Sequence, residues 1–120
     1  MKILLLFVAG GLGTLCRYAC GKLVAYEEGK FPTATLIINI IGCVIIGILY
    51  GLAQKRSIDE YTKSILAIGF CGGFTTFSAF GLETLHLLKE QNHAAAVLYI
   101  VLSVVLGLAA VFVGMQIAKI

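Results

Sequence analysis

Charge is scarce in this chain. Nine Lys or Arg and six Asp or Glu serve 120 residues, 12% of the total, while 60% are hydrophobic. Ordinary soluble domains are about a quarter charged. A soluble domain of this size is mostly surface and has too little interior for so many apolar side chains. The same composition excludes a disordered chain. Nucleic acid is not an expected partner, because the net charge is only +3 and the cations are scattered. An enzyme is not expected either. His86 and His93 have no paired carboxylates or nucleophile at catalytic spacing. The four cysteines, Cys16, Cys20, Cys43 and Cys71, form no C-x-x-C pair, so neither zinc nor a redox motif is indicated. Each lies in an apolar run and reads as a small residue at a helix contact.

Long apolar runs make up the rest. A helical span needs roughly 20 apolar residues to cross a hydrocarbon core. Four such runs fit, at about 3–25, 32–53, 61–89 and 94–118. The expected fold is an all-α membrane protein, one domain over 1–120, with four transmembrane helices. The first run imitates a signal peptide, with Lys2 before an apolar stretch. Leu15 precedes Cys16, where a lipoprotein signal would want a small residue, so the run reads as the first span. Pro32 suits the first turn of the second helix. Ser57 and Glu60 have capping-box spacing ahead of the third. Gly47 and Gly51, and Gly69 and Gly73, are G-x-x-x-G pairs that predict close helix packing. Gly10-Gly11-Leu12-Gly13 lacks the flanking strand and Lys of a phosphate loop.

The third run is not a clean helix. Its middle reads Gly69-Phe70-Cys71-Gly72-Gly73-Phe74-Thr75-Thr76-Phe77-Ser78-Ala79-Phe80-Gly81. Glycines and paired threonines weaken helical continuity there. Unwound backbone at membrane depth is tolerated only where protein or a cavity covers it. Its freed carbonyls suit a small alkali cation, and two chains crossing at their breaks would supply enough of them.

Polar side chains inside spans usually face the bundle interior or a water-filled path. They are Arg17, Asn39, Thr75, Thr76, Ser78, Glu83, Tyr99 and Ser103. For Asn39 two readings stand: glue between helices, or an amide donor facing an anion. Ser78 and Ser103 singly would bond their own backbone, but together they outline a polar track. Phe77 and Phe80, three apart, share a helix face. They are either packing or a pair of rings whose positive edges receive a small anion. Ring edges bind an anion weakly, and conduction needs binding weak enough to release it.

The third-run sequence Gly69 to Phe80 resembles the third-helix signature of the Fluc (CrcB) fluoride channels, approximately G-F-x-G-G-x-T-T-F-S-T-F. Thr35-Leu36-Ile37-Ile38-Asn39-Ile40-Ile41-Gly42 is similar to that family's T-L-x-x-N-x-x-G, and Gly10 through Arg17-Tyr18 to its G-x-x-G-x-x-x-R and aromatic. The three lie in the expected order, and the resemblance spans the chain. It implies a passive, fluoride-selective channel of the bacterial plasma (inner) membrane that confers fluoride resistance. It also implies an antiparallel, dual-topology homodimer with two pores. A structural Na⁺ would sit at the dimer centre on the backbone carbonyls of Gly72 and Thr75. Asn39, Phe77, Phe80, Ser78, Tyr99 and Ser103 match the fluoride pathway, and Arg17 matches a basic residue near the vestibule. Ala79 stands where the family commonly has Thr, and Ala34 and Ala9 stand where it has Gly.

Two other readings compete. A small multidrug-type four-helix transporter needs a carboxylate in its first helix, and no acid precedes Glu27. A non-conducting half of a heterodimeric channel would be expected to lose pore residues, and Asn39, Phe77 and Phe80 are present. Short-loop Lys and Arg set orientation. Lys2, Lys55, Arg56, Lys63 and Lys119 fall on one side, against Lys22, Lys30 and Lys89, with Arg17 undecided. So even a balance predicts insertion in both directions.

Overall fold

The computed structural model describes residues 1–120 and is helical throughout. The elements are α1 (Lys2–Leu23), α2 (Thr33–Gln54), α3 (Glu60–Ser64), a π-helical segment (Ile65–Cys71), α4 (Gly72–Phe74), α5 (Phe77–Lys89) and α6 (His93–Ile117). Four stretches are long and apolar enough to cross a membrane, at Lys2–Leu23, Thr33–Gln54, Glu60–Lys89 and His93–Ile117. The third contains α3, the π segment, α4 and α5.

Two of the predicted caps differ from the structure. Pro32 is the N-cap of α2, one position before the helix proper. Ser57 does not cap α3. Asp59 does, accepting from the Thr62 N–H at 2.9 Å. Carboxylates are strong acceptors at a helix N-terminus, and Asp59 is the one placed to reach the N3 amide. Its hydrogen bonds from Thr62 hold its carboxyl below the usual carboxylate range.

Glycine decides which helices touch. A Cβ on Gly47 would collide with the Val111 carbonyl, and one on Gly114 with the Val44 carbonyl. Bare backbone on both sides lets α2 and α6 approach closely, which supplies packing where lipid offers no hydrophobic drive between helices. On the other side, a Cβ on Gly73 would collide with the Gly10 carbonyl, and one on Gly13 with the Phe70 carbonyl. So α1 lies directly on the π segment and α4. The two G-x-x-x-G pairs therefore serve two different helix pairs.

The ends sort by side. Lys2 stands over the Tyr61 ring at 5.7 Å, and Lys55 Nζ donates to the Ala118 carbonyl at 3.0 Å. The N-terminus, second loop and C-terminus share one end. At the other end Gly29, at φ +80°, lies against the Glu90 side chain, where only glycine has room. The small core sits toward that end, around Leu36, Leu87, Ala96 and Tyr99.

Candidate functional site

Helical hydrogen bonding stops between α4 and α5. Thr75 and Thr76 are extended, with ψ of 160° and 120°. An unbroken helix would aim the Thr76 N–H at the Gly72 carbonyl. Here it donates instead to Asn39 Oδ1 at 2.9 Å, while Asn39 Nδ2 donates to the Thr76 carbonyl at 3.1 Å. One amide from α2 thus satisfies both backbone groups of Thr76. The Thr76 hydroxyl accepts from the Ala79 N–H and restarts the helix as the N-cap of α5. Thr75 Oγ1 donates back to the Cys71 carbonyl at 2.8 Å.

The carbonyls released by the break have different fates. That of Gly73 accepts from Arg17 Nε at 3.1 Å, with Thr14 Oγ1 at 3.5 Å. Arg17 therefore lies at the break, beneath α4, with its charge partly buried. The carbonyls of Gly72 and Thr75 receive no hydrogen bond within the chain. Gly72 is exposed, and a Cβ added there would meet nothing closer than the Ala67 carbonyl at 4.0 Å. Unpaired carbonyls at membrane depth are costly. Hard oxygen donors without a proton donor fit the binding of an alkali cation by chemistry, and two per chain are too few to enclose one.

Beside the break lies a cavity of about 400 Å³ between α2, the third span and α6. Asn39, Gly72, Thr75, Phe77, Phe80 and Ser103 all line it. The Ser103 hydroxyl is buried without a partner. Phe77 projects from the chain, 83% exposed, and its ring centre is 5.5 Å from that of Phe80. Phe80 in turn meets Tyr99 at 5.0 Å. A row of rings thus runs from the molecular surface to the buried core. Ser78 stands outside the cavity wall, exposed, its hydroxyl 3.1 Å from that of Thr76.

Tyr99 is fully buried and leads to a cluster that the pattern of the sequence did not assemble. Its hydroxyl donates to Glu83 Oε2 at 2.8 Å, and the Thr35 hydroxyl donates to Glu83 Oε1 at 2.6 Å. Glu83 is 8% exposed. An acid in an apolar span was a visible signal, but its partners lie 48 and 16 residues away. In the first loop, the Tyr26 phenol is pushed up by burial and then by the charges of Glu83 and Glu28.

Four membrane-length helices, one interrupted at midspan, with a largely apolar cavity carrying a few polar groups built on the interruption, define a multi-pass membrane protein. Residues 4–115 match the family described as CrcB-like protein, Camphor Resistance (CrcB), and the chain belongs to that family. It is similar to a "Fluoride-specific ion channel FluC" of Azobacteroides pseudotrichonymphae, 41% identical over 94% of this chain and 92% of the relative. The protein of that name in Flavobacterium psychrophilum is 44% identical, with 93% and 92% covered. The one in Phocaeicola vulgatus is 40% identical, with 98% of each chain covered. A bacterial membrane is thus the setting, and a multidrug-type transporter is not favoured.

Proposed function

We propose that this protein is a fluoride-selective channel that lets cytoplasmic fluoride leave passively. The carrying observation is the single cavity that unites Asn39, Phe77, Phe80 and Ser103 beside the broken helix, in a chain whose relatives bear the name of fluoride channels. HF enters cells from acidic media, dissociates inside, and leaves the anion trapped unless a pore exists. Phe77 and Phe80 line the cavity, and the positive edges of such rings attract an anion without a full cation's grip. Asn39 uses one amide hydrogen on Thr76, and the other remains for the anion. Ser103 supplies a hydroxyl in the cavity wall, Ser78 lies outside that wall beside Thr76, the Tyr99 hydroxyl is committed to Glu83 while its ring continues the row from Phe80, and Arg17 contributes positive potential from beneath the break. No covalent chemistry is involved, so the protein is not an enzyme.

The working unit is an antiparallel homodimer. Its support is the unpaired carbonyls of the exposed Gly72 and the half-buried Thr75 and the projecting Phe77, all of which a second copy would cover. Two breaks crossing at a twofold axis bring four carbonyls together, and Na⁺ is the ion we assign to them. One pair of substitutions separates this from packing inside the chain. Gly72→Leu has open space within its own subunit and should fold yet fail to dimerise. Gly73→Leu meets the Gly10 backbone and should not fold. A Gly72→Leu protein that remains a conducting dimer would refute the crossing. The functional test is fluoride release from liposomes holding the purified protein, with chloride as control. Chloride release as fast as fluoride, or a need for a proton gradient, would overturn the channel reading.

A further inference from the structure

Arg17 carries a charge with no carboxylate partner. Its Nε donates to the Gly73 carbonyl at 3.1 Å, and the ion pairs of the chain, Glu27–Lys30 and Glu60–Lys63, do not include it. Its place follows from the sequence of α1. Gly10, Gly13, Thr14 and Arg17 stand at i, i+3, i+4 and i+7, which is one face of a helix. That face lies on the third span. A Cβ on Gly13 would meet the Phe70 carbonyl and the Phe74 nitrogen, and a Cβ on Gly73 would meet the Gly10 carbonyl. Backbone contact at Gly13 brings Arg17, one turn on, to the end of α4. A cation is favourable there, because the last carbonyls of a helix are unpaired and carry its negative pole.

The bond has a specific competitor. In a continuous helix the Gly73 carbonyl would accept from the Phe77 N–H, and the Gly72 carbonyl from the Thr76 N–H. Neither bond forms here, and the Phe77 N–H has no acceptor in the chain. Asn39 takes the Thr76 N–H from the side of α2, and Arg17 takes the Gly73 carbonyl from the side of α1. The break is thus clamped twice, once at a donor and once at an acceptor. We infer that the Arg17 Nε–H is a positioning group for the alkali-cation site, in a role separate from the guanidinium charge. While the Gly73 carbonyl is held against α1, the Gly73–Phe77 bond cannot re-form. The Gly72 and Thr75 carbonyls then stay free for the cation. The charge of Arg17 would itself repel a second cation at this helix end, so the donor is what supports the site. The inference rests on the Na⁺ assignment made above.

Two substitutions separate donor from charge. Arg17→Gln carries an amide nitrogen at the same number of bonds from Cα as Arg Nε, so it keeps a donor for Gly73 and loses the charge. Arg17→Met keeps the bulk of the stem and has no donor. Thermal unfolding of the full-length protein in mild detergent is followed by circular dichroism, in sodium-free N-methyl-D-glucamine chloride and in NaCl of equal ionic strength. A midpoint that rises with Na⁺ reports cation binding. Fluoride release from liposomes and amide exchange at Phe77 are measured on the same proteins. The wild type and Arg17→Gln should both show the Na⁺-dependent rise, with fluoride release lower in Arg17→Gln because the attracting charge is gone. Arg17→Met should lose the rise and slow exchange at Phe77, as the helix closes across the break. A midpoint that falls equally with and without Na⁺ in Arg17→Met would mean packing alone and overturn the inference. Loss of the rise in Arg17→Gln would place the effect in the charge and overturn it too. If Arg17→Met does not fold, Arg17→Gln decides: a retained rise supports the donor and a lost one refutes it. If the wild type shows no rise, the Na⁺ assignment fails, and exchange at Phe77 in the two variants decides whether the Nε–H clamps the break.

Discussion

Asn39 offers the sharpest test of how the broken helix is held. Its side chain accepts from the Thr76 N–H at 2.9 Å and donates to the Thr76 carbonyl at 3.1 Å. Asn39→Ala removes both partners and leaves two backbone groups unsatisfied. Each such group costs about 1–3 kcal/mol when buried from water. Side-chain hydrogen bonds between membrane helices measure less, about 0.6 kcal/mol on average. Thr76 borders a cavity large enough for water, so the lower part of the combined range applies, about 1–3 kcal/mol in all. Titration of the purified protein with a denaturing detergent, followed by helical circular dichroism, would read this loss. Asn39→Asp keeps the acceptor for the Thr76 N–H, so its stability loss should be smaller. It also places a carboxylate in the cavity, so its fluoride release should be lower than that of Asn39→Ala. An Asn39→Ala protein that unfolds with the wild type would refute the clamp. An Asn39→Asp protein that conducts better than Asn39→Ala would remove Asn39 from the anion route.

The other expectations concern the rings, the helix contacts, the charges and one cap. Phe77→Ile should leave folding nearly unchanged because Phe77 is 83% exposed within the chain, and fluoride release from liposomes should fall steeply; normal release from both Phe77→Ile and Phe80→Ile would mean the rings only pack. Gly114→Leu would drive a side chain into the Val44 carbonyl and should lower detergent stability by at least the about 1–3 kcal/mol typical of overpacking, whereas Gly81→Leu, with nothing within 4 Å, should not. A topology reporter fused after Ile120 should give comparable signals from both membrane faces, and two or three added Lys beside Arg56 should make the signal one-sided and abolish transport. The Asp59 cap has its carboxyl pKa lowered by Thr62. Its support of α3 is therefore complete above the unfolded carboxylate pKa and is lost as pH falls through the folded value; an Asp59→Asn protein, whose amide does not titrate, should lose that pH dependence of α3 amide exchange.

Much of this was legible in one dimension because lipid imposes one-dimensional rules. A run of some 20 apolar residues must be a span, since backbone in hydrocarbon has to satisfy itself. The same rule made Gly69 to Gly81 conspicuous: helix-weakening residues at midspan announce an interruption wherever it is finally placed. What the pattern left open was partnership. Asn39 had two readings from its position, glue or donor, and the fold gives it two bonds to Thr76 while leaving it in the cavity wall. Arg17 was visible as a cation inside the first span, but its hydrogen bond to the Gly73 carbonyl was not. Glu83 stood alone in the sequence and acquires Thr35 and Tyr99 only when α2, α5 and α6 come together. Ser57 and Asp59 were separated by cap geometry rather than residue type. Periodicity reports the solvent each helix face meets. It does not report which polar groups in different helices come within 3 Å, because that depends on helix rotation and depth. Those are set here by backbone-to-backbone contacts at Gly13, Gly47, Gly73 and Gly114.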